Sequence, residues 1–296
     1  MRRTGESDIF VQIPAYRDRE LSATLIDLYG QASQPGRLRT AVMWQKGPRE
    51  RLDHCVSNLP NLEIISVPAK TSKGCNWARS FLQTQWHGER YTLLLDSHHR
   101  FVAGWDDIVI DMYEALLAHG VMKPLITGYL PSYDPELEPY GRLQFPMTIY
   151  PKGREQGLLV KLTSYPMPFW ERLAEPQLAE FLSLHFVFTA GSFNSEVAFD
   201  PDIYFFGDEV VTGLRAHTWG YDMFHPHKLI GWHCYSRSKR IPHWNDHADW
   251  QSRHAKSLLK IRRLFTGDDG GRGLFGQVRS PQSYAKLVSI PLIAES

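Results

Sequence analysis

The sequence predicts an α/β fold in which a mostly parallel sheet carries helices on both faces. Two observations carry this. Strand-length apolar runs alternate with stretches of helical spacing through the first half of the chain, the pattern that βαβ units produce. The 296 residues, 43% hydrophobic and 22% charged, also suffice for a large core, with or without an appendage.

The elements follow in order. Ile9–Ile13 is an apolar run that Pro14 should stop, since proline offers no N–H to a ladder. From Glu20 to Tyr29, Leu21, Leu25 and Leu28 recur on one helical face. Leu38–Trp44 and Leu62–Val67 read as strands, and a helix is expected from about Asn76 to Trp86. Next come a strand over Tyr91–Asp96, a helix over about Trp105–His119 and a strand over Leu125–Tyr129. Pro131–Pro139 is a loop rich in Pro, Asp, Glu and Tyr, and residues 143–170 read as strands with long connections. Leu184–Ala190 is a strand leading into Gly191, and the spacing predicts a basic helix from about Trp250 to Phe265. Gly267–Gly273 has the composition of a flexible linker. The expected organisation is one domain over residues 8–250 and a C-terminal helix and tail over residues 251–296, with no internal repeat.

A net charge of +1 gives no basic field for nucleic acid and no acidic solvating tail. Cys55, Cys75 and Cys234 are far apart and odd in number, which points to a reducing compartment rather than a disulfide framework. The first residues, Met1-Arg-Arg-Thr-Gly-Glu-Ser-Asp8, lead into no apolar core of a signal peptide, and no apolar run reaches membrane-spanning length. The expectation is a soluble, cytoplasmic protein with no nucleic-acid partner and no membrane span.

The strongest chemical signal is Tyr91-Thr-Leu-Leu-Leu-Asp96-Ser-His98. A buried run ends in an acid and a histidine two residues apart, on the same face and ~6.5 Å apart along a strand. Ligands bind outside the carboxyl ends of strands in such sheets. A carboxylate with an imidazole suits Mn²⁺ better than Ca²⁺, with Mg²⁺ as the alternative. By itself such a pair is more often an exposed strand-end acid beside a surface histidine. A second apolar run, Leu229-Ile-Gly-Trp-His233-Cys-Tyr235-Ser-Arg237, supplies His233 as a third ligand and Tyr235 and Arg237 as donors to a diphosphate. Seven of the thirteen histidines lie in residues 217–254; His225, His227, His243, His247 and His254 read as structural or incidental.

Lys73-Gly-Cys-Asn-Trp-Ala-Arg79 is a glycine turn opening a helix, which attracts phosphate, although helix-borne cations are usually just solvated. Asp208 and Glu209, behind the aromatic-glycine turn Tyr204-Phe-Phe-Gly207, suit sugar hydroxyls. Asp222 is a further candidate acid, and Gly191-Ser192-Phe-Asn194 is either a set of sugar donors or only a turn.

These segments, with Ile9-Phe-Val-Gln-Ile-Pro-Ala15-Tyr16-Arg17-Asp18 and Gly104-Trp105-Asp106, stand in an order that resembles the glycosyltransferases that include the cytoplasmic hydroxyproline and polypeptide N-acetylglucosaminyltransferases. The resemblance covers roughly residues 8–250. It implies a GT-A fold, a UDP-sugar donor (UDP-N-acetylglucosamine by default) and retaining transfer to a hydroxyl-bearing protein or glycan. It implies that Asp96, His98 and His233 hold the metal and that Ala15, Tyr16 and Arg17 cradle uridine. It further assigns Arg79, Ser97, Tyr235 and Arg237 to substrate, and places Glu209, then Asp208, at the transferred sugar. Cys75 after Gly74, the second histidine His99, and Asp208 in place of a glutamate depart from the pattern. The ligand set alone would also serve a metal-dependent hydrolase of sugar-nucleotide or phosphate bonds, and the fold alone a non-catalytic nucleotide-sugar-binding domain.

Overall fold

The computed structural model describes residues 7–155, 159–237, 240–266 and 274–293. Its strands are β1 (Ile9–Tyr16), β2 (Leu38–Lys46), β3 (Leu62–Pro68), β4 (Tyr91–Leu95), β5 (His99–Phe101), β6 (Pro124–Thr127), β7 (Met147–Glu155), β8 (Leu159–Pro166), β9 (Gln177–Leu178), β10 (Phe186–Ala190), β11 (Asp222–His225) and β12 (Gly231–His233). Its helices are α1 (Leu21–Gly30), α2 (Cys75–Gln83), α3 (Trp105–Ala118), α4 (Phe193–Glu196), α5 (Asp208–Thr218), α6 (His243–Asp246), α7 (Trp250–Thr266) and α8 (Pro281–Val288). The main sheet runs β3-β2-β1-β4-β10-β6-β11-β9. The β3–β2–β1–β4 half is parallel, β10 runs against both β4 and β6, β11 is parallel to β6, and β9 is antiparallel to β11.

Alternation along β1 distributes the core. Ile9, Val11 and Ile13 pack with Leu21, Leu25 and Leu28 of α1 and with Trp105 and Val109 of α3. Phe10 faces the other way, onto Ala78 and Leu82 of α2. Helices therefore cover both faces, as the alternating pattern predicts. Leu25 is fully buried, and truncating it to alanine would cost ~2–5 kcal/mol.

Some elements differ from expectation. Pro14 does not stop β1, because past the Gln12–Leu94 pair β1 has only β2 beside it and no ladder partner on the β4 side needs an N–H. Ala15 and Tyr16 consequently extend past the end of β4's pairing at the carboxyl edge. Residues 143–170 form a β7–β8 hairpin separate from the main sheet. The helix α5 is unforeseen, as is α8, whose Tyr284 and Val288 share a core cluster with Val210 and Leu214. Leu258, Ile261 and Leu264 of α7 pack with Ile203 and Val211. The Gly267–Gly273 linker signal lies outside the described residues. Among the described residues no helix is long and apolar enough to cross a membrane.

A two-stranded sheet, β5 with β12, lies beyond the carboxyl end of β4 and pairs His99 with His233. Gly231 permits this pairing: a Cβ there would meet the Arg100 carbonyl oxygen at 2.3 Å. Two segments more than a hundred residues apart are thereby fastened at one edge of the main sheet.

Candidate active site

The first wall of the site grows from that fastening. Asp96 Oδ2 lies 3.8 Å from His98 Nε2 and 3.6 Å from His233 Nε2. The ligand atoms of the three residues all lie within 4.8 Å of one another. His98 meets Asp18 Oδ2 through Nδ1 at 2.6 Å, and the Ser97 hydroxyl donates to the same oxygen at 2.7 Å. A carboxylate on Nδ1 orients the ring and turns Nε2 toward the site. Burial would raise the Asp18 carboxyl, but the hydrogen bond and charge of His98 and the donors from Glu20 N and Ser97 bring it below its ordinary value. Both ring nitrogens of His233 are buried without a hydrogen-bond partner among the described residues. Buried nitrogens rarely stay so, and one carboxylate with two imidazoles is a donor set for a borderline divalent cation. The residues fit such an ion. Arg240 leans on the same face, with Nη1 3.0 Å from His98 Nδ1 and nearer still to Nε2. The other candidate cluster, Asp53, His54 and Cys55, is exposed, and Asp53 is occupied in accepting from Cys55 N at 2.9 Å.

The opposite wall is the first turn of α5. Gly207 precedes it at φ +91, where a Cβ would also meet Leu159 Cδ1 at 2.6 Å. Asp208 accepts from Arg79 Nη1 at 2.9 Å and from Glu209 N at 2.9 Å. Glu209 accepts the Tyr129 hydroxyl on Oε2 at 2.7 Å and Leu184 N on Oε1 at 3.0 Å. Burial, reinforced by the neighbouring Asp208 charge, pushes the Glu209 carboxyl up to about 7. Burial also raises Asp208, against the pull of Arg79. Asp96 is lowered: burial opposes its charge, but His98 and Arg79 outweigh that. Arg79 is itself buried and bridges the walls, 3.5 Å from Asp96 Oδ1 and donating to the Leu184 carbonyl at 3.3 Å.

Between the walls lies a cavity of about 520 Å³ that also takes in Tyr16, Cys75, Tyr235, Arg237, His243 and Trp244. It opens at the carboxyl edge of the parallel strands, where ligands bind in sheets of this kind.

The chain matches the Glycosyltransferase (GlcNAc) family over residues 8–60 and 49–282. It belongs to that family. No curated protein matches. Among solved structures it is similar to GalNAc-T7 with UDP, GalNAc and Mn²⁺, at 12% identity and a TM-score of 0.59 over 95% of this chain and 54% of that one. It is also similar to S. aureus TarS 1–349 in complex with UDP-GlcNAc, at 12% identity and a TM-score of 0.51 over 95% of this chain and 70% of that one. The chain thus spans about half of the GalNAc-T7 chain. Likeness at this identity is one of fold, and the fold is GT-A.

The structure brings Asp96, His98, His233, Asp208, Glu209 and Arg79 of this glycosyltransferase around one cavity. Ser97 reaches it too, but its hydroxyl is spent on Asp18. Tyr235 lines it, donates to the Leu130 carbonyl at 2.7 Å and sets its ring against His233 at 4.3 Å. Arg237 is exposed, with its guanidinium 5.0 Å over the Trp244 ring. Tyr16 lines the cavity and donates to Asp246 Oδ2 at 2.7 Å. Arg17, at φ +45, meets Asp246 at 2.8 Å and Glu50 at 3.0 Å, and neither it nor Ala15 lines the cavity. Asp222 pairs with Arg279 at 2.8 Å, and Asn194 is buried on Gln12, so both stand away from the site.

Sequence reasoning missed Asp18, Tyr129, His185, His243 and Arg240. His243 carried the expectation of an incidental residue, yet it links Tyr204 at 2.7 Å to Ser72 at 3.1 Å on the cavity wall. Asp18 stood at the end of the Ile9–Asp18 segment, with no spacing that tied it to His98.

Proposed function

We propose that this glycosyltransferase uses a divalent cation, Mn²⁺ before Mg²⁺, to transfer N-acetylglucosamine or a related hexose from a UDP-sugar to a hydroxyl with retention. The acceptor class is a hydroxylated protein residue or a glycan, as in the hydroxyproline and polypeptide N-acetylglucosaminyltransferases. The observation that carries this reading is the convergence of Asp96, His98 and His233 on one side of a cavity whose other side is Asp208 and Glu209. The UDP-GlcNAc held by TarS and the UDP, GalNAc and Mn²⁺ held by GalNAc-T7 support the donor class and the cation. Three free cysteines support a reducing compartment, the cytoplasm.

Asp96, His98 and His233 would hold the cation. When bound it supplies Lewis-acid neutralisation of the charge that develops on the departing diphosphate. Arg237 stands to donate to phosphate oxygens, whereas the Tyr235 hydroxyl already donates to the Leu130 carbonyl. Tyr16 and His243 stand to face the base at the end of β1. Arg79 opposes the burial that raises the Asp208 carboxyl. Glu209, near neutrality, is poised between carboxylate and acid, and so can take up a proton or orient a hydroxyl at the sugar. A double displacement would use Glu209, then Asp208, as nucleophile; front-face attack would use the departing phosphate as base.

The test is a panel of UDP-sugars with Mn²⁺, scored for UDP release with and without EDTA and with hydroxylated peptides or glycans. Release that depends on acceptor and is abolished by EDTA is expected, with NMR of the product showing a retained anomer. Release at the same rate without acceptor would make the protein a hydrolase. No binding of any UDP-sugar would end the transferase reading.

A further inference from the structure

His98 and His233 sit side by side yet are held by different means. His98 has the Asp18 carboxylate on its outer nitrogen; His233 has no hydrogen-bond partner on either nitrogen among the described residues. What fixes the plane of His233 is its ring neighbours, and the parallel one is His185: centroids 4.2 Å apart, planes 17° apart. Tyr235 and His99 meet the same ring edge-on, at 4.3 Å and 4.9 Å.

The His185 ring is itself locked. Leu130 N points at Nε2 at 3.0 Å, and a backbone amide can only donate, so Nε2 carries the lone pair. A neutral ring then bears its proton on Nδ1, 3.0 Å from the Ser183 hydroxyl oxygen. Ser183 Oγ thus accepts from His185 Nδ1 and, at 3.4 Å, from the His185 amide. The far face of His185 stacks on Tyr129 at 5.2 Å and 21°, and Tyr129 donates to Glu209. The His185 carbonyl also accepts the Asp96 amide at 3.3 Å.

We propose that His185 is a positioning residue that aims His233 at the cation by face-to-face stacking, while its other face holds the Tyr129 ring whose hydroxyl donates to Glu209. One neutral ring thereby sets both walls of the site at a fixed spacing. This rests on the metal reading given under the proposed function.

Two substitutions separate the parts of the role. His185→Gln keeps a donor and an acceptor but removes the flat ring; His185→Phe keeps the ring and removes both hydrogen bonds. Mn²⁺ binding, alone and with UDP, is followed by electron paramagnetic resonance of the free ion, with thermal melts reporting folding. The Gln variant should bind Mn²⁺ ~10–100-fold more weakly, as loss of an orienting partner does, and the Phe variant within ~3-fold of wild type. Tyr129→Leu, which removes the ring from the far face of His185, should also weaken Mn²⁺ binding, and it serves if either His185 variant fails to fold. A Gln variant that binds Mn²⁺ as wild type does, or a Phe variant as weak as Gln, would overturn the stacking role. Tyr129→Leu with wild-type Mn²⁺ binding would overturn the support of His185 from its far face. Wild-type protein that binds no Mn²⁺ with or without UDP would take down the metal reading first and this proposal with it.

Discussion

The two walls of the cavity are built to opposite specifications. The histidine wall leaves ligand atoms open: His233 Nε2 lies 3.6 Å from Asp96 Oδ2, and neither His233 nitrogen has a hydrogen-bond partner among the described residues. The acid wall is saturated, with Asp208 accepting from Arg79 and Glu209 N, and Glu209 from Tyr129 and Leu184 N. A wall of open lone pairs needs a cation from outside, whereas a wall of satisfied carboxylates already has its charge balanced from within. Carboxylates alone would not reveal which wall takes the metal; the distribution of donors does.

Four substitutions would break or sharpen this contrast. The largest effect is expected from Asp96→Ala, which removes the carboxylate of the candidate ligand set. Mn²⁺ binding should be lost and kcat should fall by ~10³ or more, the scale of losing a charge-stabilising group; retained turnover in EDTA would defeat the assignment. Arg79→Leu comes next, because it strips the buried Asp208 and Asp96 of their shared partner. It should destabilise the protein by ~3–5 kcal/mol in urea unfolding.

Glu209→Gln probes the saturated wall. It should lower kcat by ~10²-fold or more while leaving Mn²⁺ affinity unchanged. Stability gives a second reading. With a folded pKa of about 7, above its unfolded value, Glu209 binds its proton more tightly in the folded state. Its contribution is therefore full below the unfolded pKa and lost as pH rises toward 7. Between pH 4 and pH 8 the Gln variant should gain on wild type by on the order of 1–3 kcal/mol. A constant difference would mean that Glu209 titrates normally. Asp18→Asn should do least, weakening Mn²⁺ by about 10-fold through a looser His98 ring; no change would remove Asp18 from the metal's support.

Which parts were readable beforehand follows a physical divide. The parallel half of the sheet announced itself, because Ile9–Ile13, Leu38–Trp44 and Tyr91–Asp96 are apolar runs that need no distant partner to be recognised. Asp96 and His98 were legible as a pair for the same reason: their spacing is local. His233 was legible only as the end of a second apolar run, and its meeting with Asp96 depends on β5 pairing with β12. Asp18, Tyr129 and His185 left no pattern, since each works through a contact spanning tens of residues or more. Tyr129 and Glu209 are 80 residues apart, as are Asp18 and His98. The helix α5 was hidden by its composition: Val210, Val211 and Thr212 favour strands, and burial on nearly every side overrides that preference.

The reversed direction of β10 has a consequence for how the protein can change. Because β10 runs against its neighbours, its entry rather than its exit lies at the catalytic edge, so His185 and the Leu184 amide arrive there ahead of the strand. Strand side chains alternate, and a shift of one residue exchanges faces. The connection between β8 and β9, exposed at Phe169, Glu171, Arg172 and Glu175, can therefore take a change of length, whereas one residue inserted between His185 and Phe186 would turn His185 off the His233 ring. The tolerance of the protein to insertion should fall from the first of these segments to the second.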